Sequence, residues 1–228
     1  MTLAAVSMST DFAYAPTNDQ TVAVFIGFIL FHGLLNTLNT AWLARITKVS
    51  HCDRLFDVQY YAFFNIACTF AAIIALSLAQ KEKNNPHTVF VEIVNNTGWS
   101  NQGFSFLFGF LSVAWVMTDY DATAHIAEEI KNPAIKAPVA IISALGTTYV
   151  LGWVLNIVMV VCMGPAWPDL LMSPTGLPAG QLFYNVLGKN GGIAFMVLTT
   201  VICNFTGATA LQAQARTLFA LARGAHFR

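Results

Sequence analysis

Charge is what this sequence has least of. Asp, Glu, Lys and Arg together make up 10% of its 228 residues, against about 25% in an ordinary soluble domain. So few charges cannot cover a water-exposed surface over this length, which excludes a conventional soluble domain. The eleven basic and eleven acidic residues cancel, so bulk charge leaves no electrostatic footprint for a nucleic acid. Cysteine is equally sparse. Cys52, Cys68, Cys162 and Cys203 form no CxxC pair, which removes zinc-ligand spacing and a disulfide framework. They read as small apolar residues, and no metal or cofactor is expected. The opening MTLAAVSMSTDFAYAP has no basic start and too short an apolar stretch for a signal peptide. GxSxG, HExxH and a nucleophile–base pair within the apolar runs are all missing, so an enzyme is not expected. His32 and His125 read as bundle and mouth residues rather than haem ligands.

What the chain does have is apolar length. Apolar residues make up 56% of it, and mean hydropathy is +0.61. Four uncharged runs cover residues 21–44, 58–79, 139–163 and 191–215. Each is long enough to cross a hydrocarbon core of about 30 Å at about 1.5 Å per residue. A fifth apolar segment, residues 103–118, reaches only about 24 Å, and Asp119, Asp121, His125, Glu128 and Glu129 follow it. The reading is an all-α polytopic membrane protein with five transmembrane helices. The expected spans are 21–44, 58–79, 103–130 (broken near 115–120), 139–163 and 191–222. Between them, residues 81–102 and the Pro/Gly-rich 164–181 are expected to be loop-like, and KNPAIKAP, 131–138, a short basic link.

Basic residues set the orientation. Arg45, Lys48, Arg54, Lys131, Lys136, Arg216, Arg223 and Arg228 fall on one side, and Lys81, Lys83 and Lys189 on the other. The richer side is expected to be cytoplasmic. The amino terminus, 81–102 and 164–190 then face outward. Asn95-Asn96-Thr97 is a glycosylation sequon on that outer side.

Polar residues inside the spans are the candidates for chemistry. His32, Asn36, Asn39 and Thr40 share one helix face. Thr200, Asn204 and Gln212 follow a row through Ala208, with Gly207 leaving space beside it, and Asn65 and Thr69 make a shorter pair. Such faces must point into a bundle, because lipid satisfies no hydrogen bond. They serve either as helix–helix glue or as a cavity lining, and Thr200, Asn204 and Gln212 are the better lining candidates. The acids after the fifth segment also allow two readings. Either a plain helix emerges from the membrane at Asp119, or a helix is broken at the midplane. In the second case its free carbonyls hold a charged solute, with Asp121 at the positive end of a second half-helix.

The sequence AWVMTDYDATAHIAEEIKNPAIKAPVA, residues 114–140, resembles the sixth-helix signature of the amino acid–polyamine–organocation permeases. ARTLFALARG, 215–224, is similar to the end of their eighth helix. NTLNTAWLARITK, 36–48, resembles the end of the fourth helix in the fungal branch that includes GABA and choline permeases. The resemblance implies a LeuT-type fold of ten core helices in two inverted five-helix repeats. Residues 1–228 would form one incomplete permease domain supplying helices four to eight, without the first, Gly-rich broken helix. It also implies the site. Trp115, Val116, Met117, Thr118 and Asp119 match the unwound segment whose carbonyls face the substrate amine. Ala114 ends the half-helix before it, and Asp121 stands near the start of the half-helix after it. Glu128, Glu129 and Lys131 match the cytoplasmic mouth and are gating candidates. The implied activity is proton-coupled uptake of amino acids, GABA or related amines by alternating access, at the plasma membrane. The alternative is a truncated, non-transporting membrane protein or a regulatory fragment of a full-length permease. The expected partners are the small-molecule substrate and the lipid bilayer, with no nucleic acid.

Overall fold

The computed structural model describes residues 1–37, 54–95, 97–118, 120, 132–165 and 167–225 (the backbone alone at 54–61, 115, 116, 212, 224 and 225). Among them there are helices and connections but no strand. We number the helices in chain order: α1 Thr2–Ser9, α2 Asn18–Thr37, α3 Arg54–Ala79, α4 Pro86–Phe90, α5 Gln102–Val116, α6 Pro133–Met163, α7 Trp167–Leu171 and α8 Pro178–Ala225. Four of them, α2, α3, α6 and α8, are long and apolar enough to cross a membrane. They satisfy their backbone polar groups internally, which is the condition for spanning hydrocarbon. They leave large apolar side chains exposed: Leu30 of α2 is 67% exposed, Ile142 of α6 70% and Leu218 of α8 67%. Exposed apolar surface on this scale is stable only against lipid or further helices. The chain is an integral, multi-pass, all-α membrane protein.

Two elements differ from the sequence expectation. Residues 131–138 were expected to be a link, yet α6 begins at Pro133 and carries Pro138 inside it. Pro133 stands in the first turn, where its missing N–H is no loss. Pro138 is close enough to the helix start that the carbonyl it leaves bare lies at the membrane-exit end. The last span was expected to start at residue 191, but helix already runs from Pro178 and reverses at Gly188, whose φ of 76° and ψ of −179° are not helical. That backbone region is essentially restricted to glycine. The reversal folds residues 178–187 back on the main part of α8. Phe183 stacks on Phe195, with ring centroids 3.5 Å apart and planes within 6°. Gly192 permits the approach, since a Cβ there would stand 2.8 Å from the Tyr184 Cα.

The buried residues gather at one end of the bundle. Ala72 and Leu76 of α3, Cys162 of α6, Leu170 of α7, and Leu182 and Phe183 of α8 form one cluster. Ala4 and Met8 of α1 with Met196 of α8 form another. The polar groups at this end are also matched. The last carbonyls of α6, which no helical N–H reaches, are taken by the segment after α3. Gln80 Nε2 donates to Cys162 O at 2.9 Å, Asn84 Nδ2 to Val160 O at 2.9 Å and the Asn84 N–H to Val161 O at 2.9 Å. These bonds bring the ends of α3 and α6 together, so the two helices run parallel. The amino-terminal segment closes the same end. Lys189 Nζ lies 2.7 Å from Asp11 Oδ2, and Tyr184 donates to Asp11 Oδ1 at 3.1 Å.

Candidate functional site

The segment expected to hold substrate begins on α5. This helix starts under a side-chain cap, with Asn101 Oδ1 accepting from the N–H groups of Gly103 at 2.9 Å and Phe104 at 3.3 Å. It is tied to the preceding loop where Ser105 Oγ donates to Asn95 Oδ1 at 3.0 Å. Asn95, the sequon asparagine, also donates to Trp99 O at 2.6 Å and accepts from Thr97, so its side chain is engaged in shaping this turn. A groove of 630 Å³ runs between residues 89–94 and the Ser105, Phe106, Gly109, Phe110 and Val113 side of α5.

α5 ends at Val116, about 22 Å from its start at 15 residues, which is short of the hydrocarbon core. Ala114 is exposed, Met117 stands in a turn and Thr118 lies outside the helix. The Met117 N–H is shared between Val113 O and Ala114 O, both at 3.2 Å. This three-centre pattern is common at a helix end. At Trp115 and Val116 the backbone is helical. Asp119, Asp121, Glu128, Glu129 and Lys131 lie outside the described residues, as do His125, Asn39 and Thr40. α5 makes no extended packing with another described helix.

The second candidate group is a junction between α2 and α8. His32 Nε2 and Asn204 Oδ1 are 3.2 Å apart. Asn204 Nδ2 donates to Thr200 O at 3.0 Å. Its Oδ1 is therefore the acceptor and His32 Nε2 carries the proton. One turn further, Asn36 Nδ2 donates to Ala208 O at 3.3 Å and to His32 O at 3.0 Å. The space beside Gly207 is filled by the imidazole, since a Cβ on Gly207 would stand 2.8 Å from His32 Cε1. Phe28 and Phe31 flank the ring at centroid distances of 6.3 and 6.0 Å. Thr200 Oγ1 donates back to Met196 O at 2.8 Å, and Gln212 is described by its backbone alone. The structure thus joins two polar faces that the sequence offered separately. What the sequence reading missed is the pairing itself: the periodicity of α2 and of α8 marks each face, but no spacing connects residues 172 positions apart. Among the described residues no cluster of His, Cys, Asp and Glu is arranged to hold a metal.

Comparison with known proteins gives the family. The family model described as amino acid permease matches residues 1–225. An uncharacterised amino-acid permease of Schizosaccharomyces pombe is 52% identical over 221 residues, which are 97% of this chain and 39% of the relative. Amino-acid permease 2 of Neurospora crassa is 42% identical over 226 residues, 98% of this chain and 39% of the relative. A GABA-specific permease of Saccharomyces cerevisiae is 27% identical over 225 residues, 96% of this chain and 37% of the relative. No solved structure matches the chain significantly. The chain thus spans about two fifths of the length of these relatives. With its apolar helices and a match over nearly all of its length, the chain belongs to the amino acid permease family.

Proposed function

We propose that this chain forms part of a secondary transporter that moves amino acids, GABA or related amines across the plasma membrane by alternating access, driven by protons. The observation that carries the reading is where α5 stops. Its helix ends at Val116, short of the core thickness, within the matched region of an amino acid permease. A helix that ends at membrane depth leaves carbonyls with no intrahelical partner, and these suit the ammonium of an amino acid. Trp115, Val116, Met117, Thr118 and Asp119 would line the substrate, with Ala114 before them and Asp121 after them. Thr200, Asn204 and Gln212 would face the same cavity. Glu128, Glu129 and Lys131 would stand at the cytoplasmic mouth.

The test is uptake of a labelled panel of the common amino acids and γ-aminobutyrate in a transport-deficient host expressing the gene product that carries these residues. Trp115→Leu and Asp121→Asn are each expected to lose most of the uptake while reaching the membrane at the parent's level. Normal transport by both variants would rule out this site. Saturable uptake by residues 1–228 expressed alone would rule out a purely non-transporting or regulatory role.

A further inference from the structure

We propose that the groove between residues 89–94 and α5 is a binding site for organic ammonium ions, with Glu92 and the rings of Phe90, Phe106 and Phe110 as its recognition groups. Three observations converge on it. First, the lining has the chemistry of an ammonium site. Glu92 is the charged residue of the lining, and its other members are apolar apart from Ser105. An ammonium ion gains from a carboxylate and from the negative face of an aromatic ring. One carboxylate among three phenylalanines therefore suits a cation that also carries apolar surface. Phe106 and Phe110 stand edge to face with centroids 5.5 Å apart, and all three rings are more than half exposed, so ring surface is left for a ligand. Second, the wall that carries Glu92 is held in place. The N–H groups of Val91 and Glu92 both donate to His87 O, at 2.9 and 3.2 Å. Asn85 Oδ1 in turn accepts from the His87 N–H at 3.1 Å, and α4 packs on α6. At the far end of the wall, Ser105 ties α5 to Asn95. Third, Gly109 stands in the middle of the α5 side of the groove, where a Cβ would meet nothing within 4 Å. Glycine weakens a helix interior, and here it leaves depth between the wall and the helix.

The occupant is a dissolved cation. Its 630 Å³ is the size of a small-molecule site. From Ser105 to Val113 the lining follows one face of α5 over about 12 Å. It ends beside Ala114, where the candidate solute segment starts. A free ion can travel along such a track, whereas a lipid headgroup is tethered to its chains. Charge also sorts the solutes. An α-amino acid carries its carboxylate next to its ammonium and is repelled by Glu92. An amine whose ammonium stands apart from any carboxylate is not. The groove therefore favours simple amines and ω-amino acids over α-amino acids. Ammonium binding stands without the transport reading; passage of the bound ion to residues 114–119 rests on it.

The experiment uses the gene product that carries these residues, with a reporter thiol placed in the groove by Gly109→Cys. In intact cells a membrane-impermeant maleimide labels it, at matched surface levels, and the parent with its native cysteines gives the background. n-Butylammonium and tetramethylammonium are expected to slow labelling severalfold, and butan-1-ol and glycine at the same concentration to leave it unchanged. Glu92→Gln is expected to raise the half-protecting concentration of n-butylammonium about two- to fivefold. Phe106→Leu, which keeps apolar volume but removes a ring face, is expected to do the same for tetramethylammonium, by about two- to fivefold. A thiol that does not react, equal protection by butan-1-ol, or protection unchanged in both variants overturns the inference. Saturation-transfer NMR of n-butylammonium on the purified parent needs no new thiol, and no transfer there overturns it as well. In reconstituted vesicles the reporter is expected to label equally fast in phosphatidylcholine and phosphatidylglycerol. Slow labelling confined to phosphatidylcholine assigns the groove to a lipid headgroup and overturns the dissolved occupant. Uptake tests the link to the solute segment. Gly109→Leu fills the groove and is expected to raise the half-saturating concentration of labelled γ-aminobutyrate severalfold while the maximal rate is kept. Unchanged uptake by Gly109→Leu overturns that link. A parent that moves no labelled solute sinks the transport reading, and thiol protection then decides on the groove alone.

Discussion

The α2–α8 junction makes a quantitative prediction at Gly207. Substitution by alanine places a Cβ 2.8 Å from His32 Cε1, whereas carbon atoms in contact prefer about 3.5–4.0 Å. Either the ring or the helix must retreat by roughly 0.7–1.2 Å. The ring has little freedom, because Phe28 and Phe31 stand beside it and Asn204 holds its far nitrogen at 3.2 Å. A displacement of that size breaks the hydrogen bond. Overpacking of this kind costs about 1–3 kcal/mol, and an interhelical hydrogen bond in a membrane protein is worth about 0.6 kcal/mol on average. The sum, roughly 1.6–3.6 kcal/mol, corresponds to a fall in Tm of about 3–14 °C for a chain of this size. Thermal unfolding in detergent measures it. The decisive comparison is the double variant. His32→Ala removes the atoms that collide, so Gly207→Ala is expected to cost less in its presence than alone, giving a non-additive cycle. A Gly207→Ala protein with the parent's Tm, or two strictly additive substitutions, would refute the packing argument.

The other predictions test different parts of the bundle. Gly192→Ala brings a Cβ to 2.8 Å from the Tyr184 Cα, a backbone atom that cannot swing aside, so a loss of about 1–3 kcal/mol is expected in detergent unfolding. Gly188→Ala is expected to lower stability by about 1–3 kcal/mol, because its φ of 76° with ψ of −179° suits glycine alone. Gln80→Leu leaves the Cys162 carbonyl without its side-chain donor and is expected to cost about 1–3 kcal/mol by the same assay. Asp11 is held below the usual carboxylate range, chiefly by its hydrogen bond from Lys189 and then by that from Tyr184. Its stabilising effect is therefore present above the ordinary carboxylate value and is lost as pH falls through the depressed folded value. Asp11→Asn is expected to unfold slightly below the parent near neutral pH and together with it once Asp11 is protonated, as a pH series of unfolding curves shows. The effect is small because both partners are solvent-exposed.

Much of the architecture was written in the apolar runs, because lipid demands long uninterrupted helices and allows little ambiguity. α2, α3, α6 and α8 all correspond to runs read from hydropathy. What stayed hidden was local. Pro138 reads as a breaker, yet near a helix start it is tolerated, so α6 begins earlier than its apolar run. The return of residues 178–187 on α8 depends on two glycines whose roles are positional, a reversal at Gly188 and a close approach at Gly192. In the sequence they look like any glycine-rich loop. The candidate site divides in the same way. The motif from Ala114 onward carried its resemblance in the order of residue types, whereas the His32–Asn204 contact is a product of assembly. Asn204 was legible as one member of a polar row, but the side chain that fills the space beside Gly207 was not.

The junction also carries a consequence for how the protein is made. Its two halves lie 172 residues apart in the chain. At synthesis rates of about 5–20 residues per second, α2 waits roughly 10–30 s before the ribosome delivers the residues that match it. During that interval His32 and Asn36 lack their partners on α8, Asn204 and Ala208. The early helix must therefore be sheltered, either at the insertion machinery or in a transient pairing with another span. The window closes only when Asn204 and Ala208 arrive, so the timing of assembly is set by a single late helix.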